Sequence, residues 1–374
     1  MKRKYAAAIL SLILVLLPTA CQKSGQWKGQ ITEVNGVTVV ENPKRPLYEE
    51  PVLILDEELR IGEQESRPEY IFAGINSIAL DNNENIYVAD NKESHIKVFS
   101  PEGDYLRTIG RQGQGPGEIG RLSEIFVSES QVLVVVDPRR RQVHTFSTSG
   151  DHLDSRDFEK LYPLRTARDS TGYFYMMNPV TVSGSREGSF ELLKLNPDLD
   201  PVASLTKIEI SPEANSSEFD DIPEFAIRSD DCVVLGYASY YRFEILTPEG
   251  KVVREIHQDF DRVPIPEKVI EEAKKRRAQS GFPLDAEFPK YYPPFTMFFL
   301  DENGRMLVIK PERAENGESQ VCDVFDAEGK YVCRLSLKAM PTVVMTMSGG
   351  KLYIVEEDID GNPYLARYNM RWTI

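Results

Sequence analysis

The stretch SIALDNNENIYVAD, Ser77 to Asp90, decides the fold: an apolar run, a polar turn and a second apolar run within fourteen residues. The pattern recurs five more times, as EIFVSESQVLVVVD from Glu124, LRTARDSTGYFYMM from Leu164, EFAIRSDDCVVLGY from Glu224, MFFLDENGRMLVIK from Met297 and VVMTMSGGKLYIVE from Val343. Copies start roughly 40 to 70 residues apart, the period of a repeat architecture built from one supersecondary unit per copy. Alternating apolar residues on either side of a short polar turn read as a β-hairpin.

A second motif follows the first and completes each unit: HIKVFSPEGDYLRTIG after copy one, QVHTFSTSGDHLDSRD after copy two, ELLKLNPDLDPVASLT after copy three, RFEILTPEGKVVREIH after copy four and QVCDVFDAEGKYVCRLS after copy five. Most of these turns contain a glycine, which takes the positive φ that closes a tight hairpin. Two hairpins make a four-stranded antiparallel blade, and six blades that cannot bury their faces alone close into a ring. The expected fold is therefore all-β, a six-bladed β-propeller. The sixth unit has only three strands before the chain ends, while VLILDEELRI (Val52 to Ile61) is an unassigned strand ahead of copy one. It is expected to complete blade six and remove an open edge. Upstream, ITEVNGVTVV (Ile31 to Val40) holds an Asn-Gly turn between apolar residues, a hairpin expected on the outside of the ring.

The segment Ile75 to Gly120, down to its Gly-x-Gly-Pro-Gly-Glu connector, resembles an NHL repeat. From about Trp27 onward the chain is similar to the six-bladed β-propeller lipoproteins of Gram-negative envelopes, a family of uncharacterised function. The resemblance implies the fold and says little of activity, because propeller scaffolds host lyases, lactonases and plain binding modules. Asp90 and Asp137, which recur in NHL-type repeats, are expected to bond backbone amides of the adjoining loop.

The N-terminus addresses the chain. Basic Lys2, Arg3 and Lys4 precede an apolar run from Tyr5 to Leu17 and small residues before Cys21, a signal peptide over 1–20 and too short to span a bilayer. Leu17-Pro18-Thr19-Ala20-Cys21 resembles a lipobox, with Cys21 the lipidated residue; an ordinary secretory peptide with a chance cysteine is the alternative. A tether over 21–30 then leads to one domain, 31–374. The resemblance favours the periplasmic side of the outer membrane, with the membrane touched only through the anchor.

Composition narrows the partners. The formal charge is −15, more negative once the signal's three cations are removed, which disfavours nucleic acid and anionic lipid and suits neutral or cationic ligands. A monomer is expected. No zinc pattern, Gly-x-Ser-x-Gly elbow or P-loop appears, and His95, His144, His152 and His257 read as solvated surface residues on turns and outer strands. Cys322 and Cys333 flank the Asp326-Ala327-Glu328-Gly329 turn. A three-residue loop with Gly329 left-handed sets Cys322 opposite Arg334, so the sulfurs point to opposite faces and no disulfide is expected.

Loop lengths select one face. Turns between strands one and two and between three and four are all tight; the two-to-three loops and blade connectors hold every long segment, including Arg111 to Arg121, Asn178 to Gly188, Thr206 to Asp221, Pro311 to Ser319 and an insert over 260–294. Binding residues concentrate on long loops of rigid scaffolds. Pro266 opens a helix in the insert, with Ile265, Val269, Ile270 and Ala273 as an apolar stripe; a structural cap and a lid are both open readings. Phe282, Phe288, Tyr291, Tyr292 and Phe295 follow, able to stack on sugars or to pack. At the channel mouth the candidates are Asn76, Glu124, Tyr162, Glu224, Thr296 and Thr342, with Arg111, Arg139, Arg140, Arg186 and Arg313 from nearby loops. These arginines and carboxylates either close the channel as ion pairs or hold a small acid or ion. Two functions remain: a binding scaffold for a protein, peptide or glycan without a cofactor, and a metal-assisted lyase or lactonase with a divalent cation in the channel.

Overall fold

The structure is a computed structural model. It describes residues 25–373 except 63–66, 129, 159, 182–187, 211–222, 281–287, 314–318 and 339–342. The signal peptide, Cys21, Arg186, Phe282 and Thr342 lie outside the described residues.

Six antiparallel sheets follow the repeats. Blade one is Ile75–Leu80, Ile86–Asp90, His95–Phe99 and Tyr105–Ile109; blade two is Ile125–Val127, Val132–Asp137, Gln142–Ser147 and His152–Asp157. Blade three is Arg165–Arg168, Phe174–Thr181, Gly188–Leu195 and Pro201–Ile210; blade four is Glu224–Ile227, Val233–Tyr237, Arg242–Leu246 and Val252–Gln258. Blade five is Met297–Leu300, Met306–Arg313, Ser319–Phe325 and Tyr331–Lys338. Blade six is Met345–Ser348, Lys351–Glu357 and Pro363–Trp372, completed by Leu53–Ile61 from the N-terminal region. The expected closure is thus in place, antiparallel from Leu365↔Ile61 to Trp372↔Leu53. Blade six's innermost strand in turn lies beside that of blade one.

Second strands such as Ile86–Asp90 are buried along their whole length, because each side faces a neighbouring blade. Tyr87 and Ala89 pack towards blade two, Ile86 and Val88 towards blade six. The buried apolar residues accordingly form six clusters among the described residues, one at each blade junction. Turn chemistry repeats too: the carboxylates of Asp81, Asp169 and Asp301 accept amide hydrogen bonds from within their own turns, and Asp81 and Asp169 also accept from Tyr87 and Tyr175.

The N-terminal segment straps the rim. Asn35 and Gly36 both take positive φ in a two-residue turn between Gln30–Val34 and Val37–Asn42, and the latter strand runs parallel to Val252–Gln258. The expected outer hairpin therefore extends blade four to six strands. Asn42 bridges to blade five, its amide donating to Gly329 O at 2.8 Å while its carbonyl accepts from Tyr331 N at 2.7 Å. Leu47 and Tyr48 then donate to Tyr331 O and Val332 O before the chain enters blade six.

The blade-five hairpin corrects the expected register. Its three-residue loop is as anticipated, with Gly329 at φ 87° and Phe325 facing Tyr331. One further residue, Val332, bulges out, so Cys322 faces Leu335 and Cys333 faces Val324. The thiols lie on the same sheet face with the Asp323–Arg334 pair between their rungs, and both are free. Blades one to four carry the same bulge at Leu106, Leu153, Val202 and Val253.

Candidate functional site

The two faces of the ring differ as the loops predict. On the tight-turn face, neighbouring blades are tied turn to turn: Ser170 Oγ donates to Asp231 at 2.7 Å, Ser229 Oγ to Glu302 O at 3.0 Å and Gly350 N to Glu302 Oε1 at 2.9 Å. A cavity of about 330 Å³ there includes Arg228, paired with Asp230, in its lining. Among the described residues, the 110–121 loop and helix α1, Glu267–Ser280, belong to the blade connectors, which lie opposite.

At the channel mouth the structure brings Glu124 and Glu224 together through a residue missed in the sequence, Arg165. Its guanidinium reaches Glu224 at 3.2 Å and also acts on Glu124. Ser123 Oγ at 2.6 Å and Thr166 Oγ1 at 3.1 Å donate to Glu124. Both carboxyls are pushed up by burial against the pull of Arg165, and Arg165 itself is raised by Glu224. The ion pair is thus made by Arg165 with Glu224, and not by the loop arginines expected from the sequence. Arg165 was missed because copy three is the least regular repeat: Tyr162 took its place in the alignment, but Tyr162 lies in the connector, 54% exposed, ahead of the strand. Asn76 donates to the carbonyls of Leu122 and Ser123, linking blades one and two. Thr296 is exposed beside Ile309 O. Among the described residues no three His, Cys, Asp or Glu side chains gather as a metal would require.

The insert is partly structural. Helix α1, Glu267–Ser280, follows Ile265, which is buried with Ala273, while Val269 and Ile270 are half-buried. Ile265 N donates to Lys290 O and Tyr292 N to Val263 O, so the two ends of the insert zip together. Tyr291 stays 43% exposed with Arg262 at 5.8 Å from its ring, and Tyr292 is half-buried. Phe295 is no surface aromatic: it is fully buried, stacked on Phe243 with centroids 5.0 Å apart. Arg313 is half-buried at the end of its strand.

One cavity of the long-loop face sits between blades one and two. It measures about 640 Å³ and is lined by Gln112, Gly113, Gln114, Gly120, Arg139, Arg140 and Gln142. The loop over 110–121 is folded on itself, Ile119 N donating to Arg111 O and Gly113 N to Ile119 O. Glu118 closes it by accepting from Gln114 N, Gly115 N and Arg111. Those bonds hold the Glu118 carboxyl below its usual range. Arg140 staples the loop to blade two, donating to Glu118 O at 2.7 Å and to Gly113 O. Beneath it, Asp137 accepts from Gly120 N at 2.6 Å and Arg140 N at 3.1 Å, and Asp90 likewise from Ala73 N and Gly74 N, the structural roles expected of both. Burial raises Asp137, but His144 and these amides outweigh it and leave the carboxyl low. Arg139 is exposed, with no hydrogen bond or ion pair to a described residue.

His144 corrects the reading of the histidines as surface groups. It is buried, Nδ1 2.8 Å from Ser155 Oγ, and His152 Nε2 shares the same hydroxyl at 2.8 Å. Gly117 leaves room for this pair, since a Cβ there would meet His152 Cβ at 2.8 Å. Asp137 Oδ2 stands 3.7 Å from His144 Nε2, beyond hydrogen-bond reach. The group is a support for the loop above it.

The sequence profile of the six-bladed β-propeller family DUF5128 matches residues 65–347, more than half of the chain. The chain belongs to that family. No curated protein matches it. Among solved structures it is similar to an exported protein of Bacteroides fragilis, at TM-score 0.57 and 13% identity over 86% of this chain and 96% of that one. It is also similar to a DUF4221 family member from Bacteroides vulgatus, at TM-score 0.53 and 12% identity over 85% and 98%. Virginiamycin B lyase of Staphylococcus aureus is more distant, at TM-score 0.47 and 9% identity over 84% and 99%, a likeness too low to bear on activity. At these identities the neighbours attest the propeller alone.

Proposed function

We propose that the protein is an exported, lipid-anchored binding propeller that holds a protein, peptide or glycan on its long-loop face. The observation that carries this reading is the preformed cavity between blades one and two, walled by a loop that hydrogen bonds have fixed, on the same side as the connector that carries helix α1. A site whose backbone is already ordered loses little entropy when a ligand enters. The channel mouth supports binding over metal chemistry, because Arg165 already meets the charge of Glu124 and Glu224. No helix among the described residues is long and apolar enough to cross a membrane. The signal sequence and the lipobox-like stretch before Cys21 support attachment through lipid.

Two measurements test the reading. Cys21→Ser should shift the protein from the detergent phase to the aqueous phase and abolish incorporation of labelled lipid. Envelope polysaccharide and peptide fractions passed over immobilised protein should be retained by the wild type and by a tight-turn variant, Glu102→Ala/Glu328→Ala. They should be lost on Arg139→Ala/Gln142→Ala or Tyr291→Ala. Equal loss from both faces would refute the assignment.

A further inference from the structure

Two arginines line the cavity between blades one and two, and three more stand in the same two segments, although the chain as a whole carries −15. Residues 110–121 contribute Arg111 and Arg121, and 137–142 contribute Arg139, Arg140 and Arg141, against two carboxylates within the same segments, Glu118 and Asp137, and one on the neighbouring strand, Asp157, which accepts from Gln142 Nε2 at 2.8 Å. The first two are occupied from within: Glu118 by Arg111 and two amides, Asp137 by the amides beneath the loop. Arg140 spends its donors on loop carbonyls, so its positive charge is fixed in the cavity wall with Asp137 no closer than 4.0 Å. Arg139 has no partner among the described residues and is exposed beside it. The overall charge therefore does not describe this rim, whose local field is positive and attracts anions.

The lining narrows the ligand further. It holds two arginines, three glutamines and two glycines, with no carboxylate, aromatic ring or aliphatic side chain. Glutamine amides both donate and accept, which matches hydroxyl groups. A peptide would look for an open strand edge or apolar side-chain pockets, and neither lines the cavity. A neutral sugar ring would look for an aromatic platform, also missing. A guanidinium binds a carboxylate through two parallel hydrogen bonds. The volume of about 640 Å³ lies within the roughly 300–1,000 Å³ of sites for ligands of drug size, room for a short oligosaccharide.

Resting on the binding role of the long-loop face, we infer that this cavity takes an anionic saccharide, an oligosaccharide bearing uronic-acid carboxylates, with Arg139 as the residue that pairs the carboxylate and with Gln112 and Gln114 reading its hydroxyls. Arg140 is a positioning residue that shapes the loop.

Calorimetry on the full mature chain with tetragalacturonate tests it, beside a neutral tetrasaccharide, a sulfated tetrasaccharide and tetraglutamate. The expected result is binding of the uronate that weakens as salt rises. Arg139→Ala should cut affinity about tenfold or more and Arg139→Lys less, since one charge-assisted pair is lost or loosened. Unchanged thermal unfolding of both variants would show that the fold is intact. Equal binding of the neutral sugar overturns the charge assignment while leaving the binding face standing. Tighter binding of the sulfated sugar overturns the carboxylate, and tighter binding of tetraglutamate overturns the saccharide. Absence of uronate binding, or binding indifferent to Arg139→Ala, overturns the inference as a whole; the capture experiment on both faces then decides the broader role separately.

Discussion

Replacing Leu53 and Ile61 with alanine, singly and together, tests whether the N-terminal strand holds the ring shut. Both side chains are nearly inaccessible, at 4% and 1% exposure. Leu53 packs in the cluster between blades five and six, and Ile61 in the cluster between blades six and one with Tyr70, Phe72 and Leu365. Loss of a buried Leu or Ile side chain costs about 2–5 kcal/mol, the transfer term plus the cavity left behind. The two positions stand at opposite ends of a strand, about 26 Å apart at 3.3 Å per residue, so their costs should add. The double variant would then lose about 4–10 kcal/mol, a large share of the roughly 5–15 kcal/mol that stabilises a typical protein. Denaturant unfolding gives the energies, and hydrogen exchange of the amides in Pro363–Trp372, the partner strand, reports local opening. Single variants costing under about 1 kcal/mol, with exchange in that strand unchanged, would show that closure does not depend on this strand.

Asp323 accepts from Tyr241 Oη at 2.6 Å, Tyr331 Oη at 2.7 Å and both Nε and Nη2 of Arg334, so Asp323→Ala should cost about 3 kcal/mol, read as a lower denaturant midpoint with an unchanged slope. Glu124 has a folded pKa above its unfolded one, so the folded state holds its proton longer and stability falls as pH rises from the ordinary Glu value, about 4.3, through the raised one. Glu124→Gln, which keeps an acceptor for Ser123 and Thr166, should flatten that fall; identical pH profiles for the two proteins would contradict the burial. Cys322 and Cys333 are buried and pushed up by desolvation, whereas Cys232 is half-exposed, so a thiol reagent should modify Cys232 first under native conditions and peptide mapping should find no Cys322–Cys333 link.

Period-two alternation and glycine turns are local properties, so the sequence by itself determined the hairpins, the six-fold repeat, the strand Leu53–Ile61 as the missing piece of blade six, and the face that carries the long loops. Asp90 and Asp137 were legible through the resemblance to NHL repeats, and their amide partners lie in loops that pack directly on the ends of their strands. What only the tertiary structure decided depends on contacts between blades. Arg165 meets Glu124 and Glu224 because three neighbouring blades bring their innermost strands to one channel, and copy three was too irregular to align by pattern. The bulge at Val332 moved Cys322 opposite Leu335, a shift of one residue that hairpin arithmetic from the turn alone does not contain. His144 and Phe295 went inside because neighbouring blades and loops cover them, although each sits in a stretch that reads as surface. The arginine-lined rim emerged in the same way: the chain's summed charge is negative, and Arg139 and Arg140 come to line one cavity where the 110–121 loop folds onto the turn that carries them.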